Sequence, residues 1–528
     1  MKWTPLMLVL SCGGKDGRSS DTERAHSADE TGIDSSAEVG DSGDRTDSGT
    51  SEPLGCVDGL NPAPVDALTC ARQAPCSWPG TQTSGSFGYA LDVGGDVNGD
   101  GWADLVVGAP TEDQLLDEVV VGTDAGAIHL WLNPGQTDPN APPSASLFGE
   151  AAGALMGTAV AIVPDVNGDG LDDIIAGGRG LNSEGIFGGG SAVLVLGRHD
   201  GFSDGTLEVA HTWRGEGELH RAGAAVSGAG DLNGDGLGDL LIATEQRQVL
   251  GSGYEYPGRG KVAVIYGQPD PYLLPGLSDA DASYVGLDGS DATGAAMATA
   301  DLDGDGHLDV VVGSPNALGN RGRVDVLRGA AEPLSGEYGP AAATVNLAGP
   351  SSSSGFGSAL ALGDLDGDAA PEITVGVPGG DLGYDGAGGA HIFSGGLSLF
   401  ETSPDPAVRI HGEFDDAQLG LGLSAGVDLN GDGMGDLLVG AIYARRGLIT
   451  KGGRVYGFTG PYTDWESVTD AKQASIQVFG AETKDYLGRA NRAADLDGDG
   501  KAEIFIGSGF MNQPGRYDAG SVMMFWGE

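Results

Sequence analysis

A nine-residue acidic loop recurs seven times along this 528-residue chain, at intervals of 69, 66, 70, 63, 64 and 67 residues. The first copy reads Asp96-Val-Asn98-Gly-Asp100-Gly-Trp-Ala-Asp104, with oxygen-bearing side chains at positions 1, 3, 5 and 9. Those positions hold Asp165, Asn167, Asp169 and Asp173 in the second copy, and Asp231, Asn233, Asp235 and Asp239 in the third. The fourth offers Asp301, Asp303, Asp305 and Asp309, and the fifth Asp364, Asp366, Asp368 and Glu372. The last two offer Asp428, Asn430, Asp432 and Asp436, then Asp495, Asp497, Asp499 and Glu503. A fixed period of this size restricts the fold to a solenoid, a propeller or an array.

The flanks of each loop select the propeller. A short apolar run follows, as in Leu105-Val-Val-Gly-Ala-Pro110 or Val310-Val-Val-Gly-Ser-Pro315, too short for a helix and bounded by Gly and Pro. A second run comes later, such as Gly126-Ala-Ile-His-Leu-Trp131, and a third such as Val408-Arg-Ile-His-Gly412. A fourth, such as Phe87-Gly-Tyr-Ala-Leu-Asp-Val93, leads into the loop. Four short strands per period make one blade, so the expectation is an all-β, seven-bladed propeller over residues 77–528. A Gly closing the outer strand and a Gly opening the next inner strand stand eight apart in every period, from 80/88 to 480/488. Ser77-Trp-Pro-Gly80 matches an outer strand with no blade before it, while the last blade stops after Gly520–Trp526. The N-terminal strand is therefore expected to complete the seventh blade and close the ring, removing an exposed edge.

Phe87-Gly88 before the loop and Gly108-Ala109-Pro110 after it are the two halves of an FG-GAP repeat, and the chain resembles the seven-bladed propeller of integrin alpha chains and its bacterial relatives. The label residues drift: Met156, Ala222, Leu419 and Leu487 stand where Phe would be, and Gly-Ala-Pro is lost at 177–179 and 507–509.

Oxygens at positions 1, 3, 5 and 9, with Gly at 4 and 6 letting the backbone curl, make a cage of hard ligands that suits Ca²⁺. Position 12 is a strand residue in every copy, never the Glu of an EF-hand. The loops hold 25 of the 76 carboxylates, a density that is repulsive without a counter-charge. Up to seven Ca²⁺ ions are expected, and the resemblance implies the same assignment. The fifth loop departs most, with Ala369 at position 6 and Pro371 at position 8.

Net charge is −49, which disfavours nucleic acid and anionic membrane surfaces. Residues 1–12 resemble a bacterial lipoprotein signal: Lys2, the apolar run Leu6–Leu10, then Ser11 and Cys12, the expected lipidation site. Residues 13–55, almost all Gly, Ser, Thr, Asp, Glu and Ala, read as a disordered acidic tether. Residues 56–76 form a lead-in whose Cys56, Cys70 and Cys76 allow three pairings, with one disulfide expected in an exported protein. The chain is thus expected to be an exported, monomeric envelope lipoprotein or a secreted protein, touching a membrane only through a lipid anchor.

No catalytic constellation emerges. Gly422-Leu-Ser-Ala-Gly426 matches G-x-S-x-G, but a loop and a strand follow it where a nucleophile elbow needs a helix. In a four-stranded meander the acidic loops ring one face, and the 2–3 and 4–1 connections ring the other. Variable loops on a rigid scaffold are where binding resides. Tyr254, Tyr256, Tyr384, Tyr443, Arg445, Arg446 and Tyr517 have binding character there. Two readings stay open: an adhesion or recognition module for a protein ligand, and a carbohydrate-binding propeller whose aromatics stack on sugars.

Overall fold

The computed structural model describes residues 6–8 and 76–527, apart from 117–118, 139–140, 183–184, 250–254, 381–383, 402–403 and 514. The signal-like residues other than 6–8, Cys12 among them, the acidic tether, residues 56–75 of the lead-in, and Tyr254 in blade 3 lie outside the described residues.

Seven antiparallel sheets form a ring. In blade 1 the order from the centre outward is Ala90–Val93, Leu105–Ala109, Ala127–Trp131 and Ala145–Phe148. The same meander repeats through blade 7, where Ala490–Ala494, Glu503–Ser508 and Ser521–Phe525 come from the C-terminal end. The outer strand of blade 7 is Cys76–Pro79, which pairs antiparallel from Cys76 opposite Met524 to Pro79 opposite Ser521. The ring therefore closes as the pattern of paired glycines requires. Cys76 is disulfide-bonded, with its partner outside the described residues.

Three blades carry a fifth strand that the four-strand period did not suggest. Gly336–Tyr338 runs parallel to the outer strand of blade 3, and Val468–Asp470 parallel to that of blade 5. Each belongs to the 3–4 connection of the following blade, so it straps two blades together. Leu6–Leu8 lies parallel against the outer strand of blade 6.

The core is divided into seven clusters, each between two neighbouring blades. Between blades 7 and 1, for example, Trp78, Phe505 and Met524 pack against Leu91, Leu105 and Val107. The glycines of the repeat lie at these seams. Gly157 opens the inner strand of blade 2 at φ 83°, and a Cβ there would lie 2.9 Å from the Cα of Gly108 in blade 1. The two halves of the FG-GAP pattern thus meet across blade boundaries, where backbones touch with no room for a side chain. Each outer-strand Gly also donates its N–H to the Gly that opens the third strand, at 2.9–3.2 Å in all seven blades.

Inner-strand residues line a central channel of about 520 Å³. Its wall is mostly small or apolar, with Asp92, Arg489 and Arg492 as the charged exceptions.

Candidate functional site

All seven acidic loops join the first and second strands of their blades, so they ring one face. In each, the position-1 carboxylate is the hub of the turn. Asp96 Oδ1 accepts from the Gly99 N–H and Oδ2 from the Gly101 N–H, both at 2.7 Å. The equivalent pair of bonds recurs in the other six loops. Position 6 adopts φ between 82° and 90° where it is Gly. Ala369 makes the same turn in the fifth loop at φ 70°, a left-handed conformation disfavoured by about 1–2 kcal/mol for a residue with a Cβ.

Position 9 has a second role that its place in the motif did not reveal. Asp104 is fully buried; its Oδ2 accepts from the Val97 N–H at 2.9 Å and its Oδ1 from the Asn133 N–H at 3.0 Å. It thereby clamps the acidic loop to the end of the third strand. The clamp repeats in the next blades, as in Asp173 with Val166 and Gly197, and Asp309 with Leu302 and Gly329. Each carboxylate oxygen keeps a further lone pair, so clamping does not prevent ligation. Burial pushes the carboxyls of Asp104, Asp173, Asp239, Glu372 and Glu503 up to about 7, against the pull of those backbone N–H groups. Asp309 and Asp436 rise to about 6 for the same reason.

Position 3 divides the loops. Where it is Asn, the side-chain amide donates to the position-5 carboxylate, as Asn98 does to Asp100 at 2.8 Å. Asn167, Asn233 and Asn430 do likewise. Where it is Asp, three carboxylates converge within 4.8 Å: Asp301, Asp303 and Asp309; Asp364, Asp366 and Glu372; and Asp495, Asp497 and Asp499. The fourth loop has a partial counter-charge of its own. Arg328 pairs with Asp303 and lies 3.2 Å from Asp305.

On the opposite face, Tyr384, Tyr443, Arg445, Arg446 and Tyr517 all lie in 2–3 connections, and Tyr256 ends a short strand, Glu255–Tyr256, in the corresponding connection of blade 3. Tyr384 and Tyr517 are 46% and 75% exposed. Arg445 and Arg446 stack over Phe414 and Phe479, at 5.3 and 5.2 Å.

Ser424 lies within the inner strand Leu419–Val427, paired opposite Leu438, far from a nucleophile elbow. A different relay, scattered in sequence, was not visible beforehand. His129 Nδ1 lies 2.8 Å from Ser146 Oγ, and its Nε2 lies 2.9 Å from Glu112 Oε2. Ser146 sits mid-strand with its N–H committed to Gly205 and its carbonyl to Leu207. Phe87, Trp131 and Phe148 surround the imidazole. The relay therefore reads as a satisfied polar core.

Comparison with known proteins agrees with this geometry. The family described as FG-GAP repeat matches residues 87–131, 293–327 and 356–393, in blades 1, 4 and 5. Those are the blades that keep Gly-x-Pro after the second strand. Integrin alpha-IIb of Mus musculus is 32% identical over 196 residues, covering 36% of this chain and 17% of the relative. Integrin alpha-3 of Cricetulus griseus is 31% identical over 166 residues, 31% of this chain and 15% of the relative. Integrin alpha-7 of Rattus norvegicus is 35% identical over 167 residues, 31% and 13%. The chain is an integrin alpha-like FG-GAP β-propeller. Its aligned stretches span less than a fifth of each of these integrin relatives. Among the described residues of the propeller, no helix is long and apolar enough to cross a membrane.

Proposed function

We propose that this FG-GAP propeller is a non-enzymatic adhesion or recognition module that binds a protein through the face opposite its acidic loops. The observation that carries the reading is the asymmetry of the two faces. Fifteen large apolar side chains stand exposed among the described residues, and ten of them lie in 2–3 or 4–1 connections. They include Phe187, Leu318, Tyr384, Leu448 and Tyr517, from five different blades. An apolar ring of this kind on a soluble scaffold marks an interaction surface.

The acidic loops supply the rigidity. Their donor set is hard oxygen throughout, three loops gather converging carboxylates, and burial opposes the charge of every position-9 group. These residues suit Ca²⁺, which would offset the repulsion and lock first strand, second strand and third-strand end together in each blade. The chain enters the ring at Cys76, on the acidic-loop side of blade 7.

The test is adhesion of propeller-coated beads to protein-coated and glycan-coated surfaces in Ca²⁺. The reading predicts retention on protein, lost on combining Leu448→Asp with Tyr517→Asp and kept with Trp102→Asp on the other face. Retention on glycan alone would transfer the conclusion to a lectin, and insensitivity to the face variants would remove the face assignment.

A further inference from the structure

A row of six side chains crosses the face opposite the acidic loops, from blade 6 through blade 7 to blade 1. Lys451 Nζ lies 4.9 Å from the centre of the Tyr443 ring. Tyr443 meets Tyr486 edge-on at 5.5 Å, and Tyr486 meets Phe510 in the same way at 5.4 Å. Phe510 follows Gly509, against which Tyr89 packs, its Cα 3.3 Å from where a Cβ on Gly509 would lie. The Arg489 guanidinium closes the row 4.3 Å above the Tyr89 ring. Arg489 also lines the central channel, beside an Arg492 that is held by Asp92 at 3.0 Å.

The charges at the two ends are unusual for this molecule. Carboxylates outnumber cationic side chains 76 to 27, and several of the ring's other cations are ion-paired, such as Arg198 with Asp200 and Arg214 with Glu150. Neither Lys451 nor Arg489 has an ion-pair partner among the described residues, and both are exposed. Stacking on an aromatic ring fixes the plane of a guanidinium and leaves its N–H edge free for a carboxylate. Lys451 covers one face of Tyr443 and Arg489 one face of Tyr89, and Tyr486 and Phe510 between them are half-buried and in edge-to-face contact. Sugar stacking needs an open aromatic face, whereas an aliphatic side chain packs on edges equally well.

We propose that this row docks an acidic segment of a protein partner, with one carboxylate on Lys451, another on Arg489, and apolar side chains between them resting on Tyr486 and Phe510. The inference rests on the recognition reading above and names the chemistry of the partner.

The experiment titrates the calcium-loaded propeller into a fluorescein-labelled peptide of alternating Glu and Leu, read by anisotropy at low salt. Binding is expected, and Lys451→Gln combined with Arg489→Gln is expected to weaken it about tenfold or more. Arg489→Lys should restore part of the loss, and Arg198→Gln, on the other face, should change nothing. Raising salt should weaken binding, because exposed charges are screened beyond about 10 Å at 0.1 M. Melting curves confirm that each variant is folded. The proposal falls if the wild type ignores the peptide, if the folded double variant binds as well as wild type, or if a heparin fragment binds and the peptide does not. Should it fall while beads still adhere to protein-coated surfaces, the recognition reading stands and only the acidic strip is lost.

Discussion

Trp78 is the residue on which ring closure turns, and its replacement separates packing from hydrogen bonding. The side chain is 1% exposed, stacks on Phe505 at 6.1 Å, and joins the cluster that welds blade 7 to blade 1. A fully buried Trp removes roughly 150–250 Å² from water. At about 25 cal/mol per Å² that is about 4–6 kcal/mol, an upper bound that agrees with the ~3–5 kcal/mol typical of Trp→Ala in cores. Its indole N–H has no hydrogen-bond partner, so Trp78→Phe forfeits no bond and should cost only about 1–2 kcal/mol of packing. The assay is urea denaturation followed by size-exclusion chromatography of the native pool. Trp78→Ala should lower the midpoint strongly and expose the strand Ser521–Phe525 as an edge that draws chains together. Deleting residues 1–82 should do the same more severely, whereas deleting 1–55, which removes only the three-residue pairing of Leu6–Leu8 on blade 6, should cost far less. Equal midpoints for Trp78→Ala and wild type, or equal behaviour of the two truncations, would refute closure by the N-terminal strand.

Three further outcomes follow from particular residues. His391 is buried and its imidazole is pushed down to about 4 by desolvation, with the charge of Arg409 adding to the effect. The unfolded chain takes up a proton below about 6.5 while the folded one does not, so stability should fall by up to about 3 kcal/mol between pH 6.5 and pH 4; a wild-type minus His391→Gln difference that is flat with pH would count against this. Gly157→Ala places a Cβ at φ 83° against Gly108 and should cost about 2–4 kcal/mol, whereas Gly101→Ala, at φ 88° with open space around it, should cost about 1–2; equal losses in melting experiments would contradict the seam contact. Arg328→Ala removes the counter-charge on Asp303 and Asp305; Arg328 is 40% exposed, so the loss should stay within about 1 kcal/mol in EDTA and vanish in millimolar Ca²⁺. A deficit that persists in Ca²⁺ would show that the fourth loop depends on arginine instead of a cation.

The architecture was readable because its determinants are local. The acidic loop is nine residues long, and its turn is made by its own position-1 carboxylate and glycines, so seven copies announce seven blades. Ring closure was readable from a spacing of eight between two glycines, because each anchors backbone contacts that no side chain tolerates. What stayed hidden depends on residues far apart in sequence. The row from Lys451 to Arg489 includes Tyr89, which only the closed ring brings alongside blade 7. Glu112, His129 and Ser146 come from three segments of blade 1. Arg328 reaches back from the third strand's end to the acidic loop, a contact that depends on blade geometry. Position 9 was legible as a ligand type but not as a clamp, because its partners are backbone N–H groups, which every residue has. The strapping strands Gly336–Tyr338 and Val468–Asp470 carry no periodic signal, since each pairs once with a neighbouring blade.

The most direct test of calcium-locked blades beneath a binding face is the thermal melt of the folded propeller in EDTA and in millimolar Ca²⁺. A ligand that binds only the folded state stabilises it by about 2.7 kcal/mol per site at a hundred times its dissociation constant, and several loops should contribute. The account predicts a clearly higher melting temperature in Ca²⁺, reduced when Asp305→Ala is combined with Asp499→Ala, which remove from the fourth and seventh loops the position-5 carboxylate that all seven copies carry. Superimposable melts in EDTA and Ca²⁺ would contradict it.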